Sequence, residues 1–170
     1  MRRAAERWPF LFSDGVQDMK IRPAELRDVP EMSEFLTRLR DMGKRRSPSD
    51  ADFVRSNYLE DPDRIRCSVA EDANGTVLGF QSLKMATRGN IYDVAPGWGI
   101  IGTHIRPEAA RQGVGRALFA ATLAAAKAAG LAHIDASIAA DNPEGLAYYA
   151  TMGFETYRTP DGLICKRYTV

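Results

Sequence analysis

The chain has 170 residues, a formal net charge of +1 at pH 7 and 45% hydrophobic residues, which suits one globular domain with a real core and lacks the basic excess that nucleic acid demands. Cys67 and Cys165 show no CxxC spacing and only two histidines are present, so a disulfide framework and a His-rich metal cluster are excluded. No apolar run approaches the roughly 18 residues of a membrane span, and the expectation is a cytoplasmic protein with no metal, no membrane and no nucleic-acid partner.

Residues 1–18 read as an N-terminal extension and 19–170 as the domain. "WPFLF" follows Arg2 and Arg3, but it is too short for a signal peptide, and Glu6 and Pro9 flank or interrupt it. Two readings stay open: a mobile leader, or Trp8, Phe10, Leu11 and Phe12 docking on an apolar groove of this or a neighbouring subunit. "MKIRPAEL" is a short strand ended by Pro23. Val29, Met32, Phe35, Leu36 and Leu39 then recur at the helical period up to Gly43. "SPSDADFVRSNYLED" reads as a second helix capped by Ser49 or Asp50. Two strands flank Asn74-Gly75, a hairpin signal, and "WGIIGTHI" is a further strand after a loop from Thr87 to Gly97. A glycine-containing turn opens a long helix to about Ala129. Strand "AHIDASIAA", a short helix capped by Asn142 and a hairpin turning at Pro160–Gly162 complete the order β-α-α-β-β-β-α-β-α-β-β. An α/β (α+β) fold with one mixed, mostly antiparallel sheet flanked by helices accommodates that order.

The turn before the long helix, "RPEAARQGVGRAL", places Gly113 and Gly115 where helix-weakening residues cost about 1 kcal/mol each. A strand feeding a helix through glycines is an anion site: the first helical N–H groups lack intrahelical partners, and the absence of Cβ lets a phosphate approach. Tight helix–strand packing is the alternative reason for the same glycines. A nucleoside-triphosphate loop needs Lys and then Ser or Thr after the second glycine, where this chain has Arg116 and Ala117. The dinucleotide pattern GxGxxG is closer, with Asp135 at a suitable distance, but its third glycine is Leu118 and too little chain follows for a second nucleotide-binding unit.

"IRPEAARQGVGRAL" resembles motif A of the GCN5-related N-acetyltransferases, (Q/R)-x-x-G-x-(G/A), with Ala110 in place of the usual Gln or Arg and Arg111 beside it. "NPEGLAYYATMGF" resembles that family's motif B, with Asn142, Tyr149, Gly153 and Phe154 on the motif positions and Gly145 in place of alanine. The resemblance extends from about Met19 to Val170. It implies the GNAT fold and acetyl-CoA as co-substrate, held by backbone groups near His104, Ile105 and Arg106 and by amides of Arg111, Gln112, Gly113, Val114, Gly115 and Arg116, with Asn142 and Tyr149 also at the cofactor. It further implies acetyl transfer to a primary amine by direct attack in a ternary complex.

Tyr149 matches the family's tyrosine, whose neutral phenol donates a proton to the departing sulfur; core packing is its other reading, and Tyr148 is the weaker candidate. His104 is a candidate general base, His133 a lesser one, and Asp93, Glu71 or a water chain remain open. The acceptor, a small molecule or a peptide amine, would meet "DMGKRRSPSD", "TRGNIYDVAPGW" and "YRTPDG", where Lys44, Arg45 and Arg46 suit an acidic partner and Tyr92 or Trp98 could stack. A non-catalytic acyl-CoA-binding module, a longer acyl group and a homodimer through the last strands or the leader stay open.

Overall fold

A computed structural model describes residues 18–170; the segment holding Trp8, Phe10, Leu11 and Phe12 lies outside the described residues. The elements are β1 (Lys20–Pro23), α1 (Val29–Asp41), α2 (Ala51–Val54), β2 (Arg64–Glu71), β3 (Val77–Met85), β4 (Gly99–Ile105), α3 (Val114–Ala128), β5 (His133–Ala139), α4 (Pro143–Thr151), β6 (Glu155–Arg158) and β7 (Leu163–Thr169). That is the order expected from the sequence. The seven strands form one sheet ordered β1-β2-β3-β4-β5-β7-β6, and among the described residues β4–β5 is the one parallel pair.

Strand alternation divides the core between the two faces. On one face Phe80 of β3 meets Val29, Met32, Phe35 and Leu36 of α1 and Val54 of α2. On the other, Leu83 and Ile101 meet Phe119 of α3, Tyr149 of α4 and Ile134, Ala136 and Ile138 of β5. Burying one such large apolar side chain contributes about 1.5–3 kcal/mol, so both faces are covered firmly. At the sheet edge the Arg22 guanidinium grips Asp28 at 2.7 and 2.8 Å and Glu71 at 3.0 Å. These bonds and the Glu25 amide hold the Asp28 carboxyl below its ordinary range against the effect of burial.

One local expectation changes. The second helix is α-helical only over Ala51–Val54, with Asp50 accepting from the Phe53 amide, and continues as a π-helical turn over Arg55–Leu59. The Asn74-Gly75 hairpin forms as expected, closed by the Asp72 amide bonding to Thr76 O at 3.0 Å. Asp72 Oδ1 also accepts from the Asn74 and Thr76 amides at 2.9 Å, and this side-chain turn shapes the loop.

Candidate active site

β4 pairs with β3 along its whole length but with β5 only at Gly99–Ile134 and Ile100–Asp135, so the sheet parts beyond that point. The Arg106 amide donates to the Leu78 carbonyl at 2.8 Å, which fixes the phase of the β3–β4 ladder. Hydrogen-bonded pairs alternate along an antiparallel ladder. His104 and Gly102 therefore also turn their backbone groups to β3, while Thr103 and Ile105 turn theirs toward the gap. Of the residues expected to offer backbone groups, Ile105 has them open toward the gap. Arg106 does not: its carbonyl accepts from Ala109, and its guanidinium serves the Val77 carbonyl, Glu31 and Glu34.

Beyond β4 the chain makes a 3-10 turn, Pro107–Ala109, and then bends through Arg111 (φ +61°) and Gly113 (φ +79°) into α3. Among the described residues, the turn, loop and cap hydrogen bonds do not use the N–H groups of residues 111–116, and the Ala117 amide bonds to Gly113 O at 3.1 Å. A run of free amides at a helix start suits a phosphate. Arg111 and Arg116 are exposed beside it. The two glycines have different tasks. Gly113 takes the left-handed conformation that a side chain disfavours. At Gly115 a Cβ would lie 2.6 Å from the Tyr148 ring, so its absence is a packing requirement.

Tyr148 thus supports the loop from below: its hydroxyl donates to Gly115 O at 2.7 Å. It shares a buried, uncharged network with Gln81, which is fully buried. Gln81 Nε2 donates to Tyr148 Oη at 3.0 Å and to Thr103 Oγ1 at 2.8 Å, and Gln81 Oε1 accepts from Thr122 at 2.5 Å. Thr103 Oγ1 in turn lies 2.8 Å from Tyr149 Oη. Burial foremost, with the neighbouring Tyr148 helping, raises the Tyr149 phenol above its ordinary value, so it stays protonated. Burial also pushes Tyr148 up to about 12. Tyr149 therefore packs in the core and also presents its hydroxyl at the parting of the strands.

The opposite face holds a pocket of about 230 Å³. Gly102 and His104 of β4, Ser82 and Lys84 of β3, Ser137 of β5, Tyr58 of the π-helical turn, Arg45, Asp61, Arg64 and Tyr92 line it. At Gly102 a Cβ would meet Ser82 Oγ at 3.2 Å and His104 Nε2 at 3.4 Å, so the missing side chain keeps the floor open. The His104 ring packs against Phe80 and Tyr58, with centroids 4.6 and 5.5 Å away. Burial, and then the Arg45 charge, pull His104 down to about 3, leaving it neutral. Arg45 Nη1 lies 3.4 Å from His104 Nδ1. A guanidinium only donates, so this assigns the proton to Nε2 and gives the pocket an N–H rather than a lone pair.

The remaining expected residues fall elsewhere. His133 stacks on Trp98, which also meets Tyr157, so Trp98 is an anchor while Tyr92 reaches the pocket. Glu71 is bonded to Arg22, and Asp93 is exposed. Asp135 is buried, receives Tyr157 Oη at 2.5 Å and Ser137 Oγ at 2.8 Å, and is raised by burial above the usual carboxylate range. Asn142 Oδ1 caps α4 by accepting from the Gly145 amide at 3.0 Å. Lys44 pairs with Glu144 and Arg46 with Asp141 on the surface. Gln81, Thr103, Ser137, Arg64 and Lys84 carry no motif signal, and only the folded arrangement brings them to the site. Among the described residues no cluster of His, Cys, Asp and Glu could hold a metal ion, and no helix is long and apolar enough to cross a membrane.

The acetyltransferase (GNAT) family matches the chain over residues 29–154. Among solved structures, a GCN5-related N-acetyltransferase from Kribbella flavida has a TM-score of 0.75 at 22% identity, covering 89% of this chain and 98% of that one. The putative acetyltransferase yncA from Salmonella typhimurium, with its cofactor acetyl-CoA, has a TM-score of 0.71 at 19% identity, covering 90% and 94%. The paia N-acetyltransferase from Thermoplasma acidophilum, in complex with coenzyme A, has a TM-score of 0.69 at 16% identity, covering 91% and 100%. No curated protein matches the chain significantly.

Proposed function

The chain belongs to the acetyltransferase (GNAT) family, and from that premise we propose that it is an N-acetyltransferase that takes acetyl from acetyl-CoA and transfers it to a primary amine by direct attack in a ternary complex. Acetyl-CoA supplies a thioester, whose acyl carbon is electrophilic and whose thiolate is the leaving group. The residues at hand fit it: free amides over Arg111, Gln112, Gly113, Val114, Gly115 and Arg116 suit the pyrophosphate, with the Arg111 and Arg116 side chains adding charge. The open backbone groups of Thr103 and Ile105 suit the amide-bearing arm, and Asn142 stands at the start of α4.

This reading rests above all on the Tyr149 hydroxyl, placed at the parting of β4 and β5 in reach of Thr103. Both Gln81 amide hydrogens are committed, one to Thr103 and one to Tyr148. Thr103 can then donate its own hydroxyl hydrogen to Tyr149, which leaves the Tyr149 proton for the gap. Tyr149 acts as general acid, and the same Thr103 hydroxyl stabilises the phenolate after transfer. His104, neutral and with Nδ1 turned to Arg45, walls the acceptor side; service as a base requires Arg45 to release that nitrogen. Solvent is then the acceptor of the amine proton, with no dedicated base. Cys67 and Cys165 are both buried, with Cys165 Sγ 3.5 Å from Ser137 Oγ of the pocket wall, and direct attack uses neither as an acyl carrier.

Release of free thiol from acetyl-CoA in the presence of mixed primary amines is the test. Tyr149→Phe should lower kcat by about 10²–10⁴-fold, the usual contribution of a positioned acid. Undiminished kcat in that variant would leave Tyr149 a packing residue. Binding of acetyl-CoA without turnover of any amine would instead favour an acyl-CoA-binding module.

A further inference from the structure

The acceptor side of the site carries a charge pattern that the fold alone does not call for. Arg45, Arg64 and Lys84 line the pocket against one carboxylate, Asp61. Arg64 and Lys84 stand directly opposite each other on β2 and β3. Like charges at facing positions of a sheet are unfavourable, and the two side chains are drawn to different partners. The relief is partial. Lys84 Nζ reaches Asp61 Oδ2 at 3.4 Å and lies 5.9 Å from the centre of the Tyr92 ring, while Arg64 donates to the Leu59 carbonyl. Lys44 and Arg46, the sequence neighbours of Arg45, are already paired with Glu144 and Asp141 outside the pocket.

We infer that the acceptor is a small primary amine that also carries a carboxylate, and that Lys84 and Arg64 hold this carboxylate, while Arg45, whose nitrogens serve the Pro48 carbonyl, Tyr58 Oη and His104, adds only its charge nearby. The inference rests on the acetyltransferase reading and names the substrate class of the same site. A carboxylate between two facing cations relieves their repulsion and makes charge-assisted bonds, bidentate where it meets Arg64. The same lining acts on the reacting end. Cations near an ammonium favour its neutral form, so the pocket itself biases the bound amine toward the state that can attack. His104, which stays neutral, adds no charge of its own.

The test uses the full chain with acetyl-CoA and the common α-amino acids, each compared with its own carboxamide and its decarboxylated amine. For at least one side chain, kcat/KM should favour the acid by about tenfold or more, the scale of a charge-assisted hydrogen bond. Lys84→Met should reduce that preference about tenfold, through acceptor KM, with the dissociation constant of acetyl-CoA unchanged. Arg64→Met should act in the same direction and covers the case in which Lys84→Met does not fold. Three results would overturn the inference while leaving the acetyltransferase reading intact: carboxamides or simple amines used as well as the acids, a preference unchanged in both variants, or no acid turned over while acetyl-CoA binds. Failure of the native chain to bind acetyl-CoA would remove both.

Discussion

Thr103 and His104 are neighbours on one strand, and they open onto two sites built by different physical means. On the Thr103 face the polar groups are uncharged and closed on one another: Thr122, Gln81, Tyr148 and Thr103 satisfy each other's hydrogen bonds around a loop of free amides. On the His104 face charge dominates, with Arg45, Arg64, Lys84 and Asp61 around a neutral imidazole. An uncharged network can be fully buried at little cost when every member is paired. Charges keep a share of solvent or need partners. One face is thus suited to holding a fixed geometry, and the other to selecting what approaches it.

Perturbations on the two faces should separate accordingly. Among the residues that support the two faces, the largest effect is expected at Thr103. Thr103→Val leaves a Gln81 amide hydrogen and the Tyr149 hydroxyl without their partner, at about 1–3 kcal/mol. It should depress kcat more than acceptor KM, whereas Thr103→Ser keeps the hydroxyl and should restore kcat; equal behaviour of the two variants would dissolve the network's role. Gly115→Ala places a methyl group 2.6 Å from the Tyr148 ring. It should cost about 1–3 kcal/mol of stability by overpacking and weaken acetyl-CoA binding, with Tyr148→Leu in the same chain recovering part of the loss.

His104 provides a test by pH. Its folded-state value, about 3, lies below its ordinary value. The unfolded chain therefore takes up a proton that the folded chain refuses, and the stability linked to this group is present above the unfolded value of about 6.5 and lost as pH falls toward 3. His104→Gln should flatten that part of the stability curve, read by denaturant titration across the same range. The kcat/KM profile should show no inflection near 6.5 that His104→Gln removes; such an inflection would restore His104 as the base. The smallest effect is expected at Arg46→Ala, which breaks an exposed pair with Asp141 and should change stability by no more than about 1 kcal/mol.

The proposed cofactor side could be read from the sequence because it is built from contiguous chain. Gly113, Gly115, Asn142 and Tyr149 fall at fixed spacings within two short segments, and spacing is what a sequence displays. Element order was equally readable, since α1 and α3 show their period and Pro143 and Asn142 mark the start of α4. The proposed acceptor side draws side chains from β2, β3, β4, β5, the π-helical turn and two loops, so no single local pattern announces it. Arg45 belonged to a visible basic run, yet nothing in "KRR" distinguishes the residue that turns inward from Lys44 and Arg46, which pair on the surface. The supporting role of Tyr148 went unread for a related reason. Its place beneath the loop depends on a missing Cβ at Gly115, far from it in sequence. Arg106 lay beside the motif but is consumed by Glu31, Glu34 and the Val77 carbonyl.

The central claim is that the amides of residues 111–116 hold the pyrophosphate of acetyl-CoA. Calorimetric titration of acetyl-CoA into the native chain and into Gly113→Glu tests it most directly. The variant puts a side chain in a left-handed position and a negative charge at the turn. Binding by the native chain, lost in the variant while its circular dichroism spectrum is retained, is the expected result. No binding by the native chain, or undiminished binding by the variant, would contradict the account and leave the glycines with a packing role alone.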